Sequence, residues 1–294
     1  MYTSTNNSTT RALASTGREK RITVYDGNCP LCSSLGQAAK NIGWLNDNNL
    51  MAYHDLPAAW KEKIDPEHFK YEMALIDLNE DQTYYGLQGI GRALEHRFPG
   101  FLRMLQKPWF YRVINFLYVL LSRNRYFILS KQPIVCDCEP PFSFKMRFSF
   151  IMMMSVLSLL VSSIIGGVFS LTMDSISFQD GLLEFLSWVV PGWTVLFIAI
   201  FLLHNDVKDR WNSLAQISII MFLGTLPWLP ILHLLWFIPP FWVFMLGSLT
   251  SLILMFRLFI KRFASVRLGR FTIGLWLILM LSSIFIWQLD KLNL

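Results

Sequence analysis

The sequence predicts an α/β domain in its first half and an all-α bundle of transmembrane helices in its second half. One observation is a change of composition: the 294-residue chain is 53% hydrophobic, and the apolar excess lies almost wholly after Phe144. Another is that residues 145–294 carry only 10 Lys and Arg and 6 Asp and Glu, whereas the first half has an ordinary soluble balance. A third is that short apolar runs alternate with amphipathic stretches before residue 140, as strands and helices do in an α/β domain.

Three regions follow from these observations. Residues 1–20 are rich in Ser, Thr and Asn and lack an apolar core, which indicates a disordered tail and no secretory signal. Residues 21–140 form the predicted α/β domain with a helical extension, and residues 145–294 form the predicted membrane domain. The net charge of +6 does not indicate a nucleic-acid partner, because the excess positive charge lies beside the membrane spans.

The α/β domain has an order of elements that can be followed along the chain. The predicted elements are a strand at Ile22–Asp26, a helix at Leu31–Trp44, a strand at Leu50–Leu56, a short helix at Ala58–Ile64, strands at Met73–Leu78 and Thr83–Tyr85, and a helix at Leu87–Phe98. This β-α-β-(α)-β-β-α order is typical of a small thioredoxin-like domain.

Two further helices are predicted at the end of this domain, at Phe101–Gln106 and Pro108–Arg123. The second is heavily aromatic but includes Arg112 and Asn115, so it is not predicted to cross a membrane. It either lies against the bilayer or caps the domain.

The segment "VYDGNCPLC" (Val24–Cys32) lies at the junction between the first strand and the first helix. The free N–H groups and the positive dipole end of a helix stabilise a thiolate there. We therefore expect Cys29, at the N-cap or in the first turn, to be the more exposed cysteine and the nucleophile, and Cys32, one turn further on, to resolve a mixed disulfide. Asp26 either caps the helix, accepts a proton from a thiol, or only forms the turn.

A second pair of cysteines, Cys136 and Cys138, precedes the first membrane span. These residues are possible secondary thiols that exchange with the first pair. Alternatively, Cys29, Cys32, Cys136 and Cys138 together form a tetrahedral zinc site, although the separation of the two pairs is far outside ordinary zinc-ribbon spacing. Dithiol chemistry itself requires no cofactor, so zinc is expected only in this alternative.

Five stretches after Phe144 are long and apolar enough to cross a bilayer. They are Phe148–Met173, Phe185–Leu203, Trp211–Leu235, Phe241–Phe256 and Phe271–Leu289. Pro227 and Pro230 are expected to break or kink the outer end of the third. Lys and Arg alternate strictly between the loops, which predicts a cytoplasmic α/β domain and a C-terminus outside.

The membrane domain contains no cysteine, and its ionisable residues lie outside the spans apart from His233 near a boundary. It therefore shows no proton relay or ion path. Small residues at Ser158, Ser162, Gly166 and Ser170 share one face of the first span. That face suits close helix packing, either within the bundle or in a homo-oligomer.

The first half of the chain resembles the DCC-type thiol-disulfide oxidoreductases, a thioredoxin-like family. The resemblance is carried by "YDGNCPLC" with Asp26, Cys29 and Cys32, by "YYGLQGIGRAL" (Tyr84–Leu94), by "FYRVINFLYVLLSRNRY" (Phe110–Tyr126), and by a following cysteine, here Cys136 or Cys138. It implies thiol-disulfide exchange with a thiol or disulfide substrate of unknown identity, with the lipid bilayer as the other partner.

One departure from thioredoxin itself concerns the segment just before the third strand, where thioredoxin has a cis-proline that helps bind substrate backbone. The third strand here is preceded by "KYE", so an ordinary protein disulfide is not the assumed substrate. Two other classes of function stay open: a cysteine-based metal-binding or sensing module, and a non-enzymatic membrane scaffold or transport accessory.

Overall fold

The computed structural model of the chain describes residues 21–45, 49–95, 97–128, 140–173, 178–203, 205–263 and 274. It divides into two compact units, Met1–Pro141 and Phe142–Leu294. The predicted disordered tail at residues 1–20 and, apart from Gly274, the predicted fifth span at Phe271–Leu289 lie outside the described residues.

A four-stranded mixed sheet forms the centre of the first unit, in the order β2-β1-β3-β4. The strands are β1 (Arg21–Tyr25), β2 (Leu50–Ala52), β3 (Ala74–Asp77) and β4 (Gln82–Tyr85). β1 runs parallel to β2 and antiparallel to β3, and β3 runs antiparallel to β4. The parallel pair requires a crossover, and helix α1 (Pro30–Asn41) supplies it.

One face of this sheet is covered by the segment that follows β2. Alternate residues of the two central strands point to this face, including Ile22, Val24, Ala74 and Ile76, which are all nearly inaccessible to solvent. A 3-10 helix (Tyr53–Asp55) and the short helices α2 (Ala58–Lys61) and α3 (Pro66–Phe69) lie in the covering segment. Leu56, Ile64 and Phe69 close this core, and each such burial stabilises the fold by about 1.5–3 kcal/mol.

The other face of the sheet packs against helices α1 and α4 (Gly86–Leu94). Gly36 of α1 lies against the Leu50 side chain, and Gly89 of α4 lies against Leu75. Gly86 begins α4 with φ +58°, a left-handed conformation that favours glycine. An ion pair between a partly exposed arginine and a buried aspartate closes the edge of this face, where Arg21 Nε lies 2.7 Å from Asp77 Oδ2.

Two more helices complete the first unit: α5 (Pro99–Leu105) and α6 (Pro108–Ile128). α6 packs against α1, α4 and α5, so the structure gives this helix the capping role that the sequence left open. Its Tyr118 hydroxyl accepts a hydrogen bond from the Met73 backbone N–H at 3.1 Å, and its Ser122 hydroxyl donates to the Tyr71 carbonyl.

Several predicted boundaries are wrong at their C-terminal ends. The second strand ends at Ala52, because Tyr53 turns to stack on Phe69 with ring centroids 4.6 Å apart. Helix α1 ends at Asn41, and the N–H of Trp44 turns back to donate to the Ala39 carbonyl at 2.8 Å. α4 ends at Leu94 rather than Phe98, whereas α6 continues five residues past Arg123, to Ile128.

The described part of the second unit contains long helices and two short segments. They are α7 (Phe144–Met173), α8 (Phe178–Leu203), α9 (Val207–Thr225), the four-residue α10 (Trp228–Ile231), a 3-10 helix (Leu232–Trp236) and α11 (Pro240–Phe263). The helical path is broken after Thr225, where Pro227 precedes α10, so the predicted break in the third span is confirmed.

Three stretches in the described part of this unit are long and apolar enough to cross a membrane: Phe144–Val168, Val207–Trp236 and Trp242–Arg262. They overlap the first, third and fourth predicted spans. The second prediction falls on α8, in which Val190–Leu202 forms a shorter apolar stretch. The chain is therefore a membrane protein, and the number of five spans stays a prediction.

Helix packing within the second unit uses the small residues that the sequence singles out. Ser158 and Ser162 of α7 are buried, and α7 packs against both α8 and α9. The hydroxyl of Ser251 in α11 donates to the Gly224 carbonyl of α9 at 2.6 Å. This face of α7 thus serves packing inside the bundle, and an oligomer through the membrane helices stays a prediction.

Candidate active site

The two cysteines of "VYDGNCPLC" lie at the N-terminus of helix α1. Cys29 is the N-cap residue with extended backbone angles, and Pro30 is the first helical residue, where its missing N–H costs no hydrogen bond. The Cys29 sulfur accepts a hydrogen bond from the Cys32 backbone N–H, with the two atoms 3.4 Å apart. Both thiols are free in this structure, and the strand-to-helix turn positions them next to each other.

The prediction that Cys29 is the more exposed cysteine is wrong. Cys29 has 0% relative exposure, whereas Cys32 is partly exposed. The reason lies in the N-cap geometry, which directs the Cys29 sulfur back over the first turn of α1, towards the Cys32 amide.

The hydrogen bonds between the two cysteines shift their pKa values in opposite directions. The Cys32 thiol, followed by its backbone N–H and the charge of Arg125, lowers the pKa of Cys29 to about 7, against the opposing effect of burial. The same hydrogen bond to Cys29, reinforced by burial, raises the pKa of Cys32. At neutral pH the pair therefore shares a single proton more readily than it loses both.

Asp26 is a buried carboxylate beside this dithiol, with 2% exposure. Its Oδ1 accepts the backbone N–H of Asn28 at 3.0 Å, and its Oδ2 accepts hydrogen bonds from Arg125 Nη2 at 3.0 Å and from the Tyr126 hydroxyl. Of the three alternative roles of Asp26, the helix cap is wrong, because Cys29 occupies the N-cap position, whereas the role of proton acceptor stays a prediction. Asp26 instead fixes the turn and anchors the end of α6.

Arg125 and Tyr126 are the site residues that the sequence argument missed. They lie 99 and 100 positions after Asp26, in the part of α6 that extends beyond its predicted end. Burial opposes the charge of Arg125, but the neighbouring Cys32, Asp26 and Cys29 together raise its pKa. The only sequence signal was that both residues fall in the motif Phe110–Tyr126; no spacing rule connects them to Asp26.

Tyr118 and Met73 form a further border of the site. Burial raises the pKa of Tyr118 to about 12, against the lowering effects of the Met73 N–H and the charge of Arg125. Met73 immediately precedes β3, and its backbone N–H donates to Tyr118. A proline at this position has no N–H to donate. The hydrogen bond from Met73 to Tyr118 of α6 therefore requires a residue other than the proline that thioredoxin has before its third strand.

His54 lies over the turn that precedes Cys29. A Cβ at Gly27 would lie 2.3 Å from Cε1 of the His54 ring, so the ring packs directly on the glycine backbone. The side chain of His54 is half exposed. This contact gives a steric reason for glycine after Asp26 in the motif.

The second cysteine pair lies outside the described residues, so neither its secondary-thiol role nor the four-cysteine zinc site is tested by the structure. Among the residues that the structure describes, no group of three or more His, Cys, Asp or Glu side chains is arranged to hold a metal ion. Cys29 and Cys32 are the two potential sulfur ligands with described positions.

Comparison with known proteins finds one family model that matches most of the first unit. Residues 23–131 match the model of the family described as DCC1-like thiol-disulfide oxidoreductase. No curated protein and no solved structure gives a match. The matched segment includes every residue of the site described above, from Asp26 to Tyr126.

Proposed function

We propose that this chain, whose residues 23–131 belong to the DCC1-like thiol-disulfide oxidoreductase family, is a membrane-anchored enzyme that exchanges disulfides through Cys29 and Cys32. The observation that carries the proposal is the geometry of the dithiol: Cys29 and Cys32 lie one helical turn apart at the N-terminus of α1, and the Cys32 backbone N–H donates to the Cys29 sulfur at 3.4 Å. With the pKa of Cys29 lowered to about 7 and that of Cys32 raised, one sulfur is a nucleophile at neutral pH while the other keeps its proton.

In the reductive direction, the Cys29 thiolate attacks one sulfur of a substrate disulfide and forms a mixed disulfide. The other substrate sulfur leaves as a thiolate and takes a proton from solvent. Cys32 then gives its proton to solvent and attacks the Cys29 sulfur as a thiolate, which forms the Cys29–Cys32 disulfide and releases the second substrate sulfur as a thiolate. Two electrons pass from the dithiol to the substrate, and the reverse sequence oxidises a substrate dithiol.

The order of the two attacks follows from the hydrogen bond between the thiols. That hydrogen bond is the largest cause of the raised pKa of Cys32. In the mixed disulfide Cys29 carries no negative charge, so this cause is lost, while the positive charge of Arg125 still lowers the pKa of Cys32. Formation of the mixed disulfide thus activates the resolving cysteine.

Asp26 and Tyr126 act through Arg125 in this proposal. The negative charge of Asp26 raises the pKa values of both cysteines, whereas the positive charge of Arg125 lowers them. Because Asp26 holds Arg125 by a buried ion pair, the guanidinium stays beside the sulfur atoms. Since Cys29 is fully buried, substrate access also requires local movement around the first turn of α1.

We further propose that the first unit lies on the cytoplasmic side, that the chain crosses the membrane five times and that its C-terminus is outside. The alternation of Lys and Arg among the loops supports this orientation. An epitope tag at the C-terminus is expected to bind antibody on intact cells, and a tag at the N-terminus only after permeabilisation. The opposite pattern would overturn the orientation.

The exchange mechanism is tested by trapping. Full-length Cys32→Ser is expected to accumulate mixed disulfides with its substrate, visible as reducible adducts on gels, whereas Cys29→Ser is not. The wild-type pair should also oxidise reversibly, and a midpoint potential near or below roughly −250 mV would indicate a cytosolic reductant. If neither variant forms adducts and the pair does not oxidise, the proposal fails. Near-stoichiometric zinc that is lost on mutation of either cysteine pair would instead indicate the metal site.

A further inference from the structure

The N-terminal half of α6 exposes large apolar side chains to solvent. Trp109, Val113 and Phe116 are 64%, 52% and 53% exposed, and their spacing of four and three residues puts them on one side of the helix. We call this surface the α6 apolar face. Scattered apolar residues on a surface are ordinary, but a continuous apolar strip on one helix indicates a partner.

The rest of α6 is firmly attached to the domain. Tyr118 accepts the Met73 N–H, Ser122 donates to the Tyr71 carbonyl, and Arg125 pairs with Asp26. The exposure of the α6 apolar face is therefore not a sign of a poorly packed helix. It belongs to a helix that is held along its other side.

The charge of the chain segment that carries the α6 apolar face is of one sign. Between Glu95 and Asp137 the sequence contains seven Lys and Arg and no Asp or Glu. Three of these basic residues, Arg103, Lys107 and Arg112, are exposed in α5, in the short connection and in the first half of α6. Basic side chains beside exposed tryptophan and aliphatic groups are typical of helices that lie in the headgroup region of an anionic membrane.

The chain itself supplies such a membrane at short range. The first candidate span begins at Phe144, 16 residues after α6 ends at Ile128. A tether of this length reaches at most about 55 Å when fully extended. Contact of the α6 apolar face with the bilayer is then intramolecular, so the effective concentration is high and even a weak affinity is sufficient.

We propose that the α6 apolar face lies in the headgroup region of the bilayer that the chain's own helices span. Trp109, Val113 and Phe116 enter the interface between headgroups and acyl chains, and Arg103, Lys107 and Arg112 contact lipid phosphates. The ligand is an anionic phospholipid surface. This inference does not depend on the redox chemistry proposed above.

The test uses the full-length protein in nanodiscs of phosphatidylglycerol and phosphatidylcholine. The photoreactive amino acid p-benzoylphenylalanine replaces Phe116 in one variant, Trp109 in a second and Glu62 in a control. Glu62 is exposed and belongs to the segment that covers the opposite face of the sheet. After irradiation, mass spectrometry counts lipid adducts on each variant.

Lipid adducts are expected at least tenfold more often at positions 116 and 109 than at position 62. Replacing Arg103, Lys107 and Arg112 together with Gln should reduce the adducts at position 116 to the level seen in pure phosphatidylcholine. The inference is overturned if position 116 crosslinks to protein, whether a second copy or the chain's own helices, or if adduct yields at positions 116 and 62 are equal. Similar yields of lipid adducts at positions 109 and 116 would show that the result does not depend on the site of the photoreactive residue.

Discussion

Replacing Cys32 with alanine is expected to raise the pKa of the Cys29 thiol, whereas replacing it with serine is expected to leave that pKa near 7. The Cys32 side chain donates the hydrogen bond that contributes most to lowering the Cys29 pKa from 9.0 to about 7. A serine hydroxyl can donate in the same place, and an alanine methyl group cannot.

The size of this effect follows from the shift itself. A change of two pKa units corresponds to roughly 3 kcal/mol of preference for the thiolate. The backbone N–H of Cys32 and the charge of Arg125 remain in the alanine variant, so only part of the shift is lost. If the pKa rises by about one unit, the thiolate fraction of Cys29 at pH 7 falls from about a half to about a tenth.

The assay is a pH titration of the ultraviolet absorbance of the thiolate in reduced full-length protein. It requires no reagent to reach the buried sulfur, and Cys29→Ser supplies the background. Because the pKa of Cys29 is lowered, absorbance should develop as the pH rises through about 7 in wild type and in Cys32→Ser, and at higher pH in Cys32→Ala. Identical curves for the alanine and serine variants would refute the hydrogen-bond argument.

Two other predictions concern stability, measured as the free energy of unfolding of the first unit in the full-length protein. Arg125→Met leaves the Asp26 carboxylate buried without its cation and should cost about 3–5 kcal/mol. Tyr126→Phe keeps the ion pair and should cost about 1–2 kcal/mol. Equal losses of stability in the two variants would contradict the ion-pair argument. Gly86→Ala adds a Cβ 2.4 Å from a Glu72 carboxylate oxygen at φ +58° and should cost about 1–3 kcal/mol. Gly100→Ala, with no atom within 4 Å of the new Cβ, is its control and should cost nothing; a loss as large as that of Gly86→Ala would show a general intolerance of alanine.

The sheet and the position of the dithiol were predictable because their signals are local. The apolar run at Ile22–Val24 and the run at Ala74–Ile76 form the two central strands, whose side chains are buried on both faces of the sheet. Proline after Cys29 marks the helix start independently of the rest of the chain. Such features depend on a few neighbouring residues, so the sequence alone determines them.

The pairing of Asp26 with Arg125 was not predictable for the opposite reason. It joins residues at the two ends of the domain. The hydrophobic periodicity of the sequence does not indicate which face of α6 contacts the turn after β1. Asn124 and Arg125 in "SRNRY" are polar and suggest a helix end, yet both are buried. Their burial depends on partners that only the tertiary fold provides, so the helix continues where its local composition predicts a stop. The exposure of Cys29 was misjudged similarly, because the sequence indicates the start of the helix but not the direction in which the cap residue turns its sulfur.

The distance along the chain between Asp26 and Arg125 also has a consequence for synthesis of the protein. At a translation rate of about 5–20 residues per second, the 99 residues from Gly27 to Arg125 take roughly 5–20 s to make. During this interval the nascent chain already carries Cys29 and Cys32 but lacks the guanidinium that holds the turn. The cysteines therefore acquire their final environment only when α6 has left the ribosome.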